Sequence, residues 1–216
     1  MYHYSIIHID TTADLPQLLS ALPAWRRKQA EAFRFERGQR ECAEAYLLLC
    51  RMLRETYGIC EQPEFVTGEH GKPALLFRTE EGRKNGNGLT FNMSHCKNGI
   101  GCIVSDCGDV GIDVECLERY KENLADYCMS EEENSRIKSA ADPDALFSEL
   151  WTRKEALLKC TGEGITDDLK PCLQTARMAG MEMISGVNHK EKYAWAVCVR
   201  KTTNEGEAAS LLAEEE

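Results

Sequence analysis

The sequence predicts a mixed α/β (α+β) fold made of two similar subdomains. Three observations predict it. Short strand-like runs and helical stripes alternate along the chain. Strand, helix, strands is followed by strands, helices, strands, with a join near residues 95–108. A length of 216 residues suffices for one large domain or two small ones sharing a core. The expected division is an N-terminal subdomain over 1–105, a C-terminal one over 106–203 and an acidic, disordered tail over 204–216. A cleft between the two subdomains is the expected site.

Each element has a local reason. Residues 3–9 (HYSIIHI) read as a strand. Residues 24–57 read as one long helix or two, with a weak point at Gly38. Tyr46, Leu47, Leu49, Leu53 and Tyr57 supply its apolar stripe, and Gly58 ends it. Residues 64–67 and 74–78 are short strands around the loop 68–73, and 82–88 (GRKNGNG) reads as a turn. Residues 89–94 alternate, with Leu89, Phe91 and Met93 on one side and Thr90, Asn92 and Ser94 on the other. Strands follow at 99–104 and 110–115. Ser130 and Glu133 have capping-box spacing ahead of a helix. Asp142-Pro143 opens another helix, which runs to Cys160 and stops at Thr161-Gly162. Residues 181–187 and 193–200 are late strands.

Composition narrows the function classes. Hydrophobic residues make up 43% and charged residues 29%, as in a soluble globular protein. No apolar run approaches the roughly 18 residues of a membrane span, and MYHYSIIHID lacks the basic start and cleavage site of a secretory signal. The net charge of −10 disfavours nucleic acid and anionic membranes as partners. The 11 cysteines contain no C-x-x-C pair, so reduced, packed thiols in a cytoplasmic setting are expected. Charge is uneven, however. Arg26, Arg27, Lys28, Arg34, Arg37 and Arg40 stand against Glu31 and Glu36, a local excess of +4. That island suits a specific anionic ligand or a solvated helix face.

Four constellations carry chemistry. In Gly111-Ile112-Asp113-Val114-Glu115 the two carboxylates share a strand face, about 6–7 Å apart, and repel by roughly 2–3 kcal/mol at an effective dielectric of 20. A hard divalent cation turns that repulsion into binding; a solvent-facing polar edge is the bland alternative. In Trp151-Thr152-Arg153-Lys154-Glu155, Lys154 falls at the centre of an apolar stripe, Glu155 at its edge and Lys159 one turn on. Such charges line a polar cleft or pair with one another. In Phe91-Asn92-Met93-Ser94-His95 the histidine leaves a strand end, where ligand contacts and structural hydrogen bonds both occur. Gly71-Lys72-Pro73 presents Lys72 from a turn. No nucleophile-elbow, P-loop or dinucleotide fingerprint exists. The set suits a phosphate-rich substrate held by a metal ion and cationic side chains.

FNMSH (91–95), GIDVE (111–115) and WTRKEALLKCTGEG (151–164), preceded by GKP (71–73), resemble the 4′-phosphopantetheinyl transferases of the Sfp type over roughly residues 3–200. The resemblance implies two α/β subdomains with pseudo-twofold symmetry, the site at their interface, and a monomer. It implies transfer of 4′-phosphopantetheine from coenzyme A, with Mg²⁺, to a serine of an acyl or peptidyl carrier protein, releasing 3′,5′-ADP. It implies Asp113, Glu115 and Glu155 as Mg²⁺ ligands, with Glu155 or a metal-bound water as base. Lys159 and Lys154 are implied on the phosphates, Ser94 and His95 near the pyrophosphate or 3′-phosphate, and Lys72 toward adenine and ribose. Arg40 or Arg26 is implied on the 3′-phosphate. Cys96 stands where Ser or Thr is usual, with only a packing change expected. The segment 117–130 is expected to cover the site and receive the carrier, or else to be an ordinary amphipathic helix. A non-catalytic scaffold binding coenzyme A or a carrier is the alternative, against which the full set of polar residues speaks.

Overall fold

The computed structural model describes residues 1–67, 72–79, 82–86, 88–117, 120–164 and 169–201. The tail 204–216, Gly71 of the GKP turn and residues 118–119 lie outside them. Strand β1 (Tyr2–His8) is followed by α1 (Leu15–Ser20), α2 (Ala24–Glu31) and α3 (Glu36–Tyr57). Strands β2 (Glu64–Thr67), β3 (Pro73–Thr79), β4 (Gly82–Asn85), β5 (Thr90–Cys96), β6 (Gly99–Ser105) and β7 (Gly108–Cys116) come next. The chain continues through α4 (Glu122–Cys128), α5 (Glu131–Ser139), α6 (Pro143–Thr161), α7 (Cys172–Met178), β8 (Glu182–Asn188) and β9 (Tyr193–Lys201). The mixed α+β class is as expected.

Two three-stranded antiparallel sheets, ordered β1-β6-β5 and β7-β9-β8, form the middle of the molecule. Strand alternation explains how they stack. Ile100, Cys102 and Val104 of β6 face Leu49, Met52 and Leu53 of α3. On the other face Ile103 packs on Val110, Ile112, Val197 and Val199 of the second sheet. Ala196 and Cys198 point the opposite way, toward Ala156, Leu157 and Cys160 of α6. The layers therefore run α3, sheet, sheet, α6. A strand sandwiched in this way has no solvent face, and β6 is buried along its whole length.

The long helices end where expected. Gly58 and Gly162 sit at their C-termini with φ of 68° and 76°, a left-handed turn that costs glycine little. The Ser130–Glu133 capping box forms, and Asp142 caps the Ala145 N–H of α6 at 3.0 Å. Two expectations need correction. The weak point between α2 and α3 is Phe33-Arg34-Phe35, not Gly38. Gly38 is helical and lies under the Phe33 ring, while Phe35 is extended at the start of α3. Residues 82–85 are a strand rather than part of a turn, because their backbone pairs with residues 76–79 of β3. None of the 11 cysteines is joined in a disulfide, and among these described residues only Cys60 is well exposed.

Candidate active site

The edge strands β5 and β7 lie alongside each other. The Asn92 side chain accepts a hydrogen bond from the Ile112 N–H at 3.1 Å. Two residues on, the Ser94 hydroxyl donates to Asp113 Oδ1 at 2.9 Å. The partner on the helix is Lys159, whose ammonium donates to Asp113 Oδ1 at 2.5 Å and to Ser94 Oγ at 3.0 Å. One carboxylate thus gathers a serine from the first sheet and a lysine from α6. Asp113 is only 1% exposed.

Gly111 lets this happen. It is on the face of β7 that meets α6, and a Cβ there would come within 2.1 Å of the Ala156 carbonyl oxygen. With no side chain at 111, α6 settles directly onto β7. Glu155 and Lys159, on successive turns, then come over Asp113. Burial, and next the Asp113 charge, raise the Glu155 carboxyl above its ordinary value, while Lys159 works against the rise. Two carboxylates thus share one ammonium.

These donors fit a hard cation. Asp113 Oδ2 is buried and has no hydrogen-bond partner. A buried anionic oxygen in that state is costly until something positive reaches it. Carboxylate oxygens are the donors Mg²⁺ prefers. Glu115, two residues along β7, borders a neighbouring cavity of about 270 Å³ together with Lys121, Phe147 and Trp151. Among the described residues, no three acidic, histidine or cysteine side chains form a ready-made metal cluster. Asp113 and Glu155 are near enough for the charge of the first to raise the carboxyl of the second.

His95 leaves the end of β5 on the other side of Ser94. Its Nδ1 is 3.3 Å from Glu41 Oε2 of α3, and Glu41 is also 3.4 Å from Arg37. Burial lowers the imidazole's pKa; Glu41 opposes this, and Lys159 and Arg26 reinforce it. His95, Arg26, Gln29 and Phe33 line a cavity of about 530 Å³. Arg26 stands against the Tyr46 and Phe65 rings and donates to the Cys42 carbonyl at 3.1 Å. Its Nε is buried without a partner. Glu41 was missed in the sequence; the available sign was its i,i+4 spacing from Arg37 on a helix with an apolar opposite face.

Three candidates are not brought to this centre. Lys154 is fully buried, pairs with Glu133 at 2.9 Å and donates to the Leu169 and Lys170 carbonyls at 2.8 and 3.3 Å. Lys154 is buried rather than in a cleft, and its partner is Glu133 of α5, outside the Lys154–Lys159 segment where a partner was expected. Glu133 is thereby both cap and counter-ion. Arg40, 5% exposed, donates to the Asp10 and Ala13 carbonyls at 3.2 and 2.7 Å and pairs with Glu36. Its charge is spent on holding the 10–13 loop to α3. Lys72 donates to the Val110 and Cys160 carbonyls at 2.9 and 3.2 Å, and burial lowers its pKa. It tacks the start of β3 to β7 and to the end of α6, beside a cavity of about 400 Å³ that Thr161 and Arg200 also line.

A family profile described as the 4′-phosphopantetheinyl transferase superfamily matches residues 109–211. The chain is 30% identical over 192 residues to the 4′-phosphopantetheinyl transferase psf-1 of Bacillus pumilus, covering 82% of this chain and 78% of that one. It is 29% identical over 168 residues to the uncharacterized protein YieE of Escherichia coli K12, covering 72% and 64%. It is 38% identical over 106 residues to the 4′-phosphopantetheinyl transferase AcpT of Escherichia coli O157:H7, covering 46% and 49%. The chain thus spans less than two thirds of YieE and about half of AcpT. The likeness to psf-1 runs through most of both chains, and the three motif segments that meet at Asp113 fall within one coherent site. The chain belongs to the 4′-phosphopantetheinyl transferase superfamily.

Proposed function

We propose that the chain transfers 4′-phosphopantetheine from coenzyme A to a serine of an acyl or peptidyl carrier protein, with Mg²⁺, releasing 3′,5′-ADP. The observation that carries this reading is the Ser94–Asp113–Lys159 junction, where three separate motif segments become one polar centre. The two subdomains, 1–105 and 106–203, belong to the same reading. Each half contributes a long helix and a three-stranded central sheet, in support of it, and the first half adds a second sheet, β2-β3-β4.

Asp113 and Glu155, with Glu115 two residues along β7, would hold the metal. Bound there, Mg²⁺ would offset charge building on the attacked phosphorus and on the leaving phosphate. The chain's own residues do the rest. Lys159 stands one turn from Glu155 and supplies a cation to the pyrophosphate. His95 faces the 530 Å³ cavity with Arg26, and these two receive the 3′-phosphate end. Arg26 suits that role better than Arg40, whose donors are engaged within the fold. Glu155 takes the proton of the carrier serine. The serine oxygen then attacks the phosphorus bearing pantetheine, and the pyrophosphate bond breaks. The nucleophile comes from the carrier, in keeping with a chain that has no nucleophile motif of its own.

The test is direct. The protein is incubated with coenzyme A, Mg²⁺ and several apo carriers, and the carriers are weighed by intact mass spectrometry. The expected result is a gain of one phosphopantetheine, abolished by a chelator. Coenzyme A binding without transfer to any carrier overturns the reading in favour of a scaffold.

A further inference from the structure

Two pairs of cysteines stand side by side in this fold. Cys160 of α6 and Cys198 of β9 are neighbours shut off from water, at 1% and 0% exposed. Cys96 and Cys116, the last residues of β5 and β7, are neighbours where the two strands end, and both are partly exposed. Their surroundings hold the two strand ends together. Gly99 stands opposite Cys96 in the β5–β6 pair, and Tyr193 stands opposite Cys116 in the β7–β9 pair. The Tyr193 ring packs directly over Gly99. The Asn98 amide donates to the Lys192 carbonyl at 3.2 Å across the same end. Cys116 borders the 270 Å³ cavity with Glu115, Lys121 and Trp151, which gives a small reagent a path.

The geometry points to Cys96 and Cys116 as a redox modification site, in which exchange with a low-molecular-weight disulfide forms a bond that staples β5 to β7. The steps balance. The Cys116 thiolate attacks one sulfur of the reagent and expels the first thiolate. Cys96 gives its proton to solvent and attacks the Cys116 sulfur, expelling the second. Two protein thiols are oxidised and one disulfide is reduced to two thiols. Cys116 borders the cavity through which a small reagent arrives, which assigns the first attack to it. The staple would adjoin His95 on one strand and Glu115 on the other. Its effect on turnover rests on the proposed transferase reading; its formation does not.

The whole chain is treated with excess oxidised glutathione, alkylated in denaturant, digested without reductant and mapped by mass spectrometry. The expected product is a peptide pair joined through Cys96 and Cys116, with Cys160 and Cys198 recovered as alkylated thiols. The unfolding midpoint should rise on oxidation in the wild type and stay put in Cys96→Ser and Cys116→Ser, whose folding is checked by circular dichroism. Two free thiols at 96 and 116, separate glutathione adducts on both, or a link elsewhere would overturn the proposal. In the carrier assay, oxidation should cause a loss of turnover that dithiothreitol restores and that Cys96→Ser lacks. A mapped staple in a chain that modifies no carrier supports the site and counts against the transferase reading alone.

Discussion

Replacing Asp113 with alanine leaves the Lys159 ammonium and the Ser94 hydroxyl without their common acceptor. It also removes the buried oxygen that suits a cation. Turnover should fall by roughly 10²–10³ or more, the scale for losing one charge-stabilising group, with the circular dichroism spectrum unchanged. Near-normal turnover would sink the role given to Asp113. Glu155 allows a test of stability. Its carboxyl is raised above 4.5 in the folded chain, so in the window above 4.5 the native state holds more protons than the unfolded one. Stability therefore falls as pH rises through that window. With chelator present, Glu155→Gln should be more stable than wild type at neutral pH and equal to it below pH 4.5, as read by urea unfolding. The two arginines separate by ligand. Arg26→Ala should weaken coenzyme A more than dephospho-coenzyme A. Arg40→Ala should lower the unfolding midpoint and affect both ligands alike, because its partners are loop carbonyls. The reverse pattern would return the 3′-phosphate to Arg40.

Among the elements, α6 and β7 depend on one missing side chain. Gly111→Ala forces the Ala156 carbonyl away from a methyl that would sit 2.1 Å from it. The helix must lift, and Glu155 and Lys159 lift with it. The variant should lose both stability and turnover, and Lys159 should become more reactive to acylating reagents as its hold on Asp113 loosens. A folded, fully active variant would show that the close approach is dispensable. Strands and long helices were legible because period-2 and period-3.6 patterns survive in β5, β6, β7, α3 and α6. The short helices α1 and α7 were not, since Leu15–Ser20 and Cys172–Met178 span too few turns to display a stripe. Nor was β4, whose Gly82 and Asn85 are turn formers held extended by the partner strand. The site was legible in part. Motif spacing marked Asp113, Glu155, Lys159 and Ser94, which the fold unites. Spacing could not show that Lys154 is used by Glu133 or that Glu41 reaches His95, because those contacts join elements distant in sequence.

At the scale of the whole molecule, a net charge of −10 gives no general attraction for an acidic carrier. Docking then depends on local surface. Leu124 and Tyr127 on α4 are 43% and 62% exposed, and Leu124 also borders the cavity that Glu115 lines. Exchanging both for serine should raise KM for the carrier and leave KM for coenzyme A unchanged; an unchanged carrier KM would move the docking face elsewhere. The junction at Asp113 has a consequence for ligand order. One carboxylate oxygen already serves an ammonium and a hydroxyl. Any cation drawn to Asp113 weakens its grip on Lys159, and any anion drawn to Lys159 frees Asp113. Under the proposed function, cation and phosphate affinities should therefore be heterotropically linked, each raising the other by the same factor. The lysine would then act as a resident counter-ion until both ligands arrive, and its release would turn two separate bindings into one cooperative event.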